Sequence, residues 1–127
     1  MNIRCDQLLD AVAAAQAQGT LRTFRGIKYS DADLHILANC IHGNGGVFDV
    51  AYGKDEQMLG ALAMGAKGFV GSTYNYSGRV SNQVIELWGK GAFGFCFLVF
   101  LAGAARAVIS SPTLTPTPQT ASGPQAM

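Results

Sequence analysis

Phe24-Arg25-Gly26-Ile27-Lys28-Tyr29 is a short β-prone run followed by polar residues, and the chain repeats that pattern twice. Val47-Phe48-Asp49-Val50-Ala51-Tyr52 and Gly68-Phe69-Val70-Gly71 read as a second and a third strand. Between the first two, Ser30 followed by Asp33 forms an S-x-x-D helix start, and Leu34, Ile36, Leu37 and Ile41 continue at helical spacing to Gly43-Asn44-Gly45-Gly46. Between the second and third, Asp55 and Glu56 open a helix with Met58, Leu59, Leu62 and Met64 on its apolar face, where acids suit the positive end of the macrodipole. A helix over 2–18 precedes this region and another over about 80–88, with Val80, Val84, Ile85, Leu87 and Trp88, follows it. Strand-helix units of roughly 22 residues in βαβαβα order predict a parallel sheet with crossover helices.

In such folds the chemistry gathers at the carboxyl ends of the strands. The polar residues at those ends are Lys28 and Ser30, then Asp55 and Glu56, then Ser72, Thr73 and Tyr74, expected on one rim. Lys28 carries the sharpest expectation. An ammonium at the end of a buried strand is desolvated, which lowers its pKa and frees the amine to form a Schiff base with a ketone or aldehyde. The alternative is a lysine snorkelling from a strand end into water. Ser72 and Tyr74 offer hydroxyls to a polyhydroxylated or carboxylated ligand, or else simply serve a turn. Asp55 and Glu56 could hold sugar hydroxyls, or only balance the charge of a helix start.

Composition narrows the field. The chain has 127 residues, 49% hydrophobic and 13% charged, with a net charge of +1. That is one small domain, too short for eight strand-helix units, with no basic field for nucleic acid. Cys5, Cys40 and Cys96 have no CxxC spacing, which fits a reduced cytoplasmic chain better than a disulfide framework. No apolar segment follows Met1-Asn2-Ile3-Arg4, so no signal peptide is read, and the sequon Asn75-Tyr76-Ser77 carries little weight. Gly89-Lys90-Gly91-Ala92-Phe93-Gly94 matches GxGxxG but follows a helix, which argues against dinucleotide binding. His35 and His42 have no thiolate or carboxylate at ligand spacing, so no metal site is expected.

Taken in order, Gly26-Ile27-Lys28-Tyr29-Ser30-Asp31, Tyr52-Gly53-Lys54-Asp55-Glu56 and Gly71-Ser72-Thr73-Tyr74-Asn75 resemble the N-acetylneuraminate lyases of the dihydrodipicolinate synthase superfamily, over about residues 2–90. The resemblance implies a partial (β/α)8 TIM barrel of about three units, strands six to eight. It implies that Lys28 forms the Schiff base with pyruvate, that Ser30 lies near the substrate, and that Gly53, Asp55, Glu56 and Ser72 bind the hydroxylated chain of the sugar. The implied reaction is reversible cleavage of N-acetylneuraminate (sialic acid) to N-acetylmannosamine and pyruvate, without metal or organic cofactor, in a cytoplasmic homo-oligomer. Two family features have no counterpart here: the Gly-Ser-Thr-Gly-Glu loop for the pyruvate carboxylate and the proton-relay tyrosine of the Tyr-Tyr-x-Pro segment. Tyr74 does not replace the latter.

Three segments follow: an aldolase domain over 2–90, a divergent apolar segment over 91–109, and a disordered Ser/Thr/Pro-rich tail over 110–127. The uncharged run from Ala92 to Ala105 is shorter than the roughly 20 residues a membrane span needs. The alternative to an enzyme is a non-catalytic, truncated lyase isoform that associates with full-length subunits, or with membranes through 92–105. Removal of 92–127 is expected to improve solubility on either reading. A flavodoxin-like three-layer domain is a further possibility that only sheet order and layering can address.

Overall fold

The computed structural model describes the backbone of residues 3–110 and the side chains of residues 3–103. Helix α1 (Cys5–Ala17) leads into strand β1 (Gly26–Tyr29), helix α2 (Leu34–His42), strand β2 (Asp49–Tyr52), helix α3 (Met58–Ala63), strand β3 (Gly68–Phe69), helix α4 (Tyr74–Gly89) and helix α5 (Phe93–Ser110). The three strands form one parallel sheet in the order β1-β2-β3. Tyr29 stands opposite Tyr52, and Tyr52 opposite Phe69, so the carboxyl ends of the strands are level.

The strands are shorter than their apolar runs, for a local reason. After α2 the chain turns through Gly43–Gly46, with Asn44, Gly45 and Gly46 at φ 50°, 70° and 69°. That left-handed path is open to glycine and asparagine at low cost. It leaves Val47 69% exposed, and pairing starts only at Asp49. Asp55–Gln57 form a single 3-10 turn ahead of α3 rather than its first turn.

Two helix starts differ from expectation. Asp33, not Ser30, caps α2: its Oδ1 accepts from the amides of His35 at 2.9 Å and Ile36 at 3.1 Å. A carboxylate directly before the helix reaches both free amides, and Ser30 stays at the end of β1. Helix α4 begins at Tyr74, not near residue 80. Its first six residues, Tyr74-Asn75-Tyr76-Ser77-Gly78-Arg79, are polar with one glycine and show no helical apolar period. Contacts from another loop hold it, as described below.

One face of the sheet carries the core. Ile27, Tyr29, Val50, Tyr52 and Phe69 pack with Leu37, Ala61 and Ala66, where Leu37 and Tyr52 have no exposed surface. A second cluster, Leu9, Val12, Cys40 and Phe48, fastens α1 to α2. A third, Met58, Leu62, Val84 and Cys96, joins α3, α4 and α5. Each fully buried side chain of this size contributes about 1.5–3 kcal/mol. Among the described residues no layer covers the opposite face, so the three-layer flavodoxin-like arrangement is not formed.

The apolar run after Gly89 is thus no loose appendage. It forms α5, which turns back at Lys90–Ala92 and packs along α4 closely enough that a Cβ on Gly103 would lie 2.6 Å from Val80 Cγ1. Cys96 is fully buried and its thiol donates to the Val84 carbonyl at 3.4 Å. Removing 92–127 would therefore uncover Met58, Leu62 and Val84, which argues against the expected gain in solubility. No helix of the described residues is long and apolar enough to cross a membrane. The predicted tail, apart from Ser110, lies outside the described residues.

Candidate active site

Strand periodicity decides which side chains leave the core. Ile27 and Tyr29 point to the helices, so Lys28 and Ser30 point to the uncovered face. On β2 the same alternation sends Val50 and Tyr52 inward and leaves Ala51 and Gly53 with Lys28. These three loci converge: a Cβ on Gly53 would collide with Ser30 Oγ and lie 2.5 Å from Lys28 Cε. Glycine leaves room there for the close approach of two side chains; its backbone angles do not call for it.

Below this group the strand ends are braced. Tyr29 and Tyr52 stack with ring centroids 6.2 Å apart. The Tyr29 hydroxyl donates to the Asp33 carbonyl at 2.9 Å, and that of Tyr52 lies 3.1 Å from the Asp31 carbonyl and close to Gln57 Oε1. The turn that follows Lys28 is thereby tied to β2. Burial pushes both phenols above their ordinary pKa, with Asp31 nearby adding to the effect.

Lys28 itself is exposed, against the expectation of a desolvated ammonium. Its strand is buried on the helical face only, and nothing among the described residues closes the face on which the lysine stands.

A second group lies beside the first on the same rim. Asp55 Oδ2 accepts from the Thr73 amide at 2.9 Å and from Thr73 Oγ1 at 2.6 Å. Gly71 makes this possible, since a Cβ there would overlap the Asp55 carboxylate. Asp55 Oδ1 and the Tyr74 hydroxyl are both buried without a hydrogen-bond partner. Burial pushes the Tyr74 phenol up, and the neighbouring Asp55 carboxylate reinforces the shift. A cavity of about 130 Å³ continues from this corner between α4 and α5. By contrast, Glu56 and Ser72 are exposed.

The rim therefore holds all of the residues named from the sequence, in two sets. Lys28, Ser30 and Gly53 are in mutual reach; Glu56 and Ser72 face outward from loops joined by Asp55 and Thr73. Sequence reasoning places Thr73 on the rim but does not pair it with Asp55, because no local pattern couples residues 18 apart. A larger hollow of about 620 Å³ lies at the amino ends of the strands, near His42, Asp49 and Lys67, the end that reads as stability in folds of this kind. No group of three or more His, Cys, Asp or Glu side chains able to hold a metal occurs among the described residues.

Known proteins place this arrangement. The sequence model of the Dihydrodipicolinate synthetase family matches residues 11–96. N-acetylneuraminate lyase of Sus scrofa is 41% identical over 108 residues, covering 80% of this chain and 32% of the relative. The chain thus spans about a third of the length of the curated relatives it matches. Among solved structures, the N-acetylneuraminate lyase (sialic acid aldolase) of Aliivibrio salmonicida superposes with a TM-score of 0.67 at 36% identity, over 78% of this chain and 31% of that one. The N-acetylneuraminate lyase of Proteus mirabilis gives 0.70 at 26% identity over 85% of this chain and 36% of that one. A likeness over 85% of the chain is more than residues 2–90 alone could supply.

Proposed function

Because this chain belongs to the dihydrodipicolinate synthetase family, we propose that it carries the Schiff-base half of an N-acetylneuraminate lyase site, on three units of a (β/α)8 barrel. The observation that carries the proposal is the convergence of Lys28, Ser30 and Gly53 at the carboxyl ends of β1 and β2. The lyase relatives named above supply the substrate class.

The chemistry follows from the groups at hand. The unprotonated Lys28 Nζ adds to the keto carbon of pyruvate or of open-chain N-acetylneuraminate, and loss of water leaves an imine. Protonated, that imine withdraws electrons from the carbon–carbon bond one removed from the imine carbon. The hydroxyl on the far carbon of that bond passes its proton to water, the bond breaks to an aldehyde and an enamine, and protonation of the enamine by water followed by hydrolysis of the imine releases pyruvate and restores Lys28. Ser30 Oγ is placed to hydrogen-bond at the reacting end. Gly53 keeps the approach open, and Glu56 and Ser72 present acceptor and hydroxyl groups to the sugar chain. No metal or organic cofactor takes part in this reading. Cys5, Cys40 and Cys96 are free thiols, which fits a reducing cytoplasm.

Borohydride trapping with pyruvate, read by peptide mass spectrometry, tests the assignment. We expect a reduced adduct on Lys28 that is absent from Lys28→Ala while the far-ultraviolet circular dichroism is unchanged. An adduct retained in Lys28→Ala, or none in the parent chain beside a full-length lyase that reacts, overturns it.

A second reading, association through an apolar surface, is favoured by α5. Phe95, Phe97 and Leu98 on that helix are 68%, 57% and 60% exposed, and aromatic surface of this kind invites a partner subunit. Sedimentation with and without a full-length lyase tests it: a mixed species supports association, and independent boundaries remove it.

A further inference from the structure

We propose that Tyr52 is a positioning residue: its buried hydroxyl joins the turn after β1 to the turn after β2, and so fixes the spacing between the keto-acid end of the site, Lys28 and Ser30, and its sugar end, Asp55 and Glu56. The inference rests on the lyase reading above and adds to it a residue that touches no ligand.

Tyr52 is the last residue of β2, has no exposed surface and stacks on Tyr29 of β1. Its hydroxyl reaches past the end of the sheet to two partners. One is the Asp31 carbonyl at 3.1 Å, directly after Ser30; the other is the Gln57 side-chain amide, directly after Glu56. A phenol has one proton to give and lone pairs with which to accept. Both bonds therefore form together when the Gln57 amide is turned end for end and donates through Nε2. The backbone link between the two strands ends at Gly53, whose amide donates to the Tyr29 carbonyl. Beyond it, no other side chain among the described residues bonds to both turns. Each turn has a further tie, but to a different place: the Tyr29 hydroxyl holds Asp33 within the first, and Thr73 holds Asp55 to the loop after β3. Neither sets the distance from one turn to the other.

Pyruvate needs only the first end of the site. N-acetylneuraminate held on Lys28 as an imine extends to the second, so a loosened spacing costs it a placement that pyruvate never uses. The test uses the 127-residue chain, Tyr52→Phe, which keeps the ring and its stacking, Gln57→Met, which keeps length but loses the amide, and the double variant. Borohydride trapping on Lys28 is measured with pyruvate and with N-acetylneuraminate, and circular dichroism reports folding. We expect each single variant to trap about tenfold less from N-acetylneuraminate, the scale of the hydrogen bond lost, and to trap pyruvate within about twofold of the parent. The double variant should lose no more than the weaker single one, because both break the same bridge. Gln57 is a half-buried residue of the turn, so Gln57→Met decides alone if Tyr52→Phe unfolds. Parent-like trapping from N-acetylneuraminate in a folded single variant overturns the proposal, as does a double variant whose loss is the product of the two. So does a fall in pyruvate trapping that matches the fall with N-acetylneuraminate, the mark of a merely structural role. A parent that traps pyruvate but not N-acetylneuraminate overturns the proposal and leaves the Schiff-base reading standing. A parent that traps neither, beside a full-length lyase that traps both, removes that reading and the proposal with it.

Discussion

Gly53 shows how much a single missing Cβ can decide. The space a methyl would need at that position is occupied by Ser30 and Lys28, so Gly53→Ala must displace the lysine or the β1 turn. We expect pyruvate trapping to fall at least about tenfold while the fold persists; trapping at the parent rate would mean that the two side chains swing away freely. Tyr74 offers the converse case. Its hydroxyl is buried without a partner, and such a group costs about 1–3 kcal/mol of lost hydration. Tyr74→Phe should therefore be neutral or stabilising by up to about 1 kcal/mol in urea unfolding. A clear loss would mean that the hydroxyl bonds to Asp55 in solution. The phenols also set a pH limit. Tyr29, Tyr52 and Tyr74 all titrate above their ordinary value of 10.0 in the folded chain, chiefly through burial. A raised folded pKa favours the protonated form in the native state, so this stabilisation is complete below pH 10 and is lost as the pH climbs toward the folded values. Urea midpoints measured from pH 8 upward should hold steady to about 10 and then drop; a decline beginning near neutrality would place its origin in other groups.

At the scale of elements, the helices illustrate which signals are local and which are not. Helix α2 was legible because its apolar stripe and its cap lie within one run of sequence, and only the identity of the capping residue shifted, from Ser30 to Asp33. The start of α4 was not legible, because the carboxylate at its amino end is Asp55, across the site. Helix α5 reads as an uncharged appendage when taken alone and as a core element once Cys96 meets Val84 and Met58. Deletion of 92–127 should accordingly lower the unfolding temperature by several degrees or cause precipitation. Melting of the truncated chain at the parent temperature would show that α5 contributes nothing to the core.

For the whole molecule the decisive feature is the uncovered sheet face. One edge of β1 and one of β3 are unpaired among the described residues, and the surface between them holds Lys28. Parallel sheets are ordinarily covered on both faces, and open edges pair readily. We expect the purified chain to self-associate, with a sedimentation coefficient that rises with concentration. A monomer that unfolds sharply and independently of concentration would contradict this. The same feature bears on the proposed chemistry, since a lid over this face, from further strands or from a partner subunit, would desolvate Lys28 and speed imine formation beyond the rate of the open chain.

Much of this was written along the chain. Short β-prone runs and an apolar spacing of about 3.6 named the strands, the helices between them and the rim that gathers Lys28, Ser30, Asp55, Glu56 and Ser72, because each pattern records burial within a few consecutive residues. Three matters depended on how distant segments meet. The division of the rim into a lysine group and a locked Asp55–Thr73 pair arises from contacts between separate loops. The role of α5 arises from a helix that folds back. The exposure of Lys28 arises from what does not cover it. A residue type and its neighbours can announce a strand end, but solvent access and hydrogen-bond partners belong to the surfaces that pack there, and those surfaces come from elsewhere in the chain.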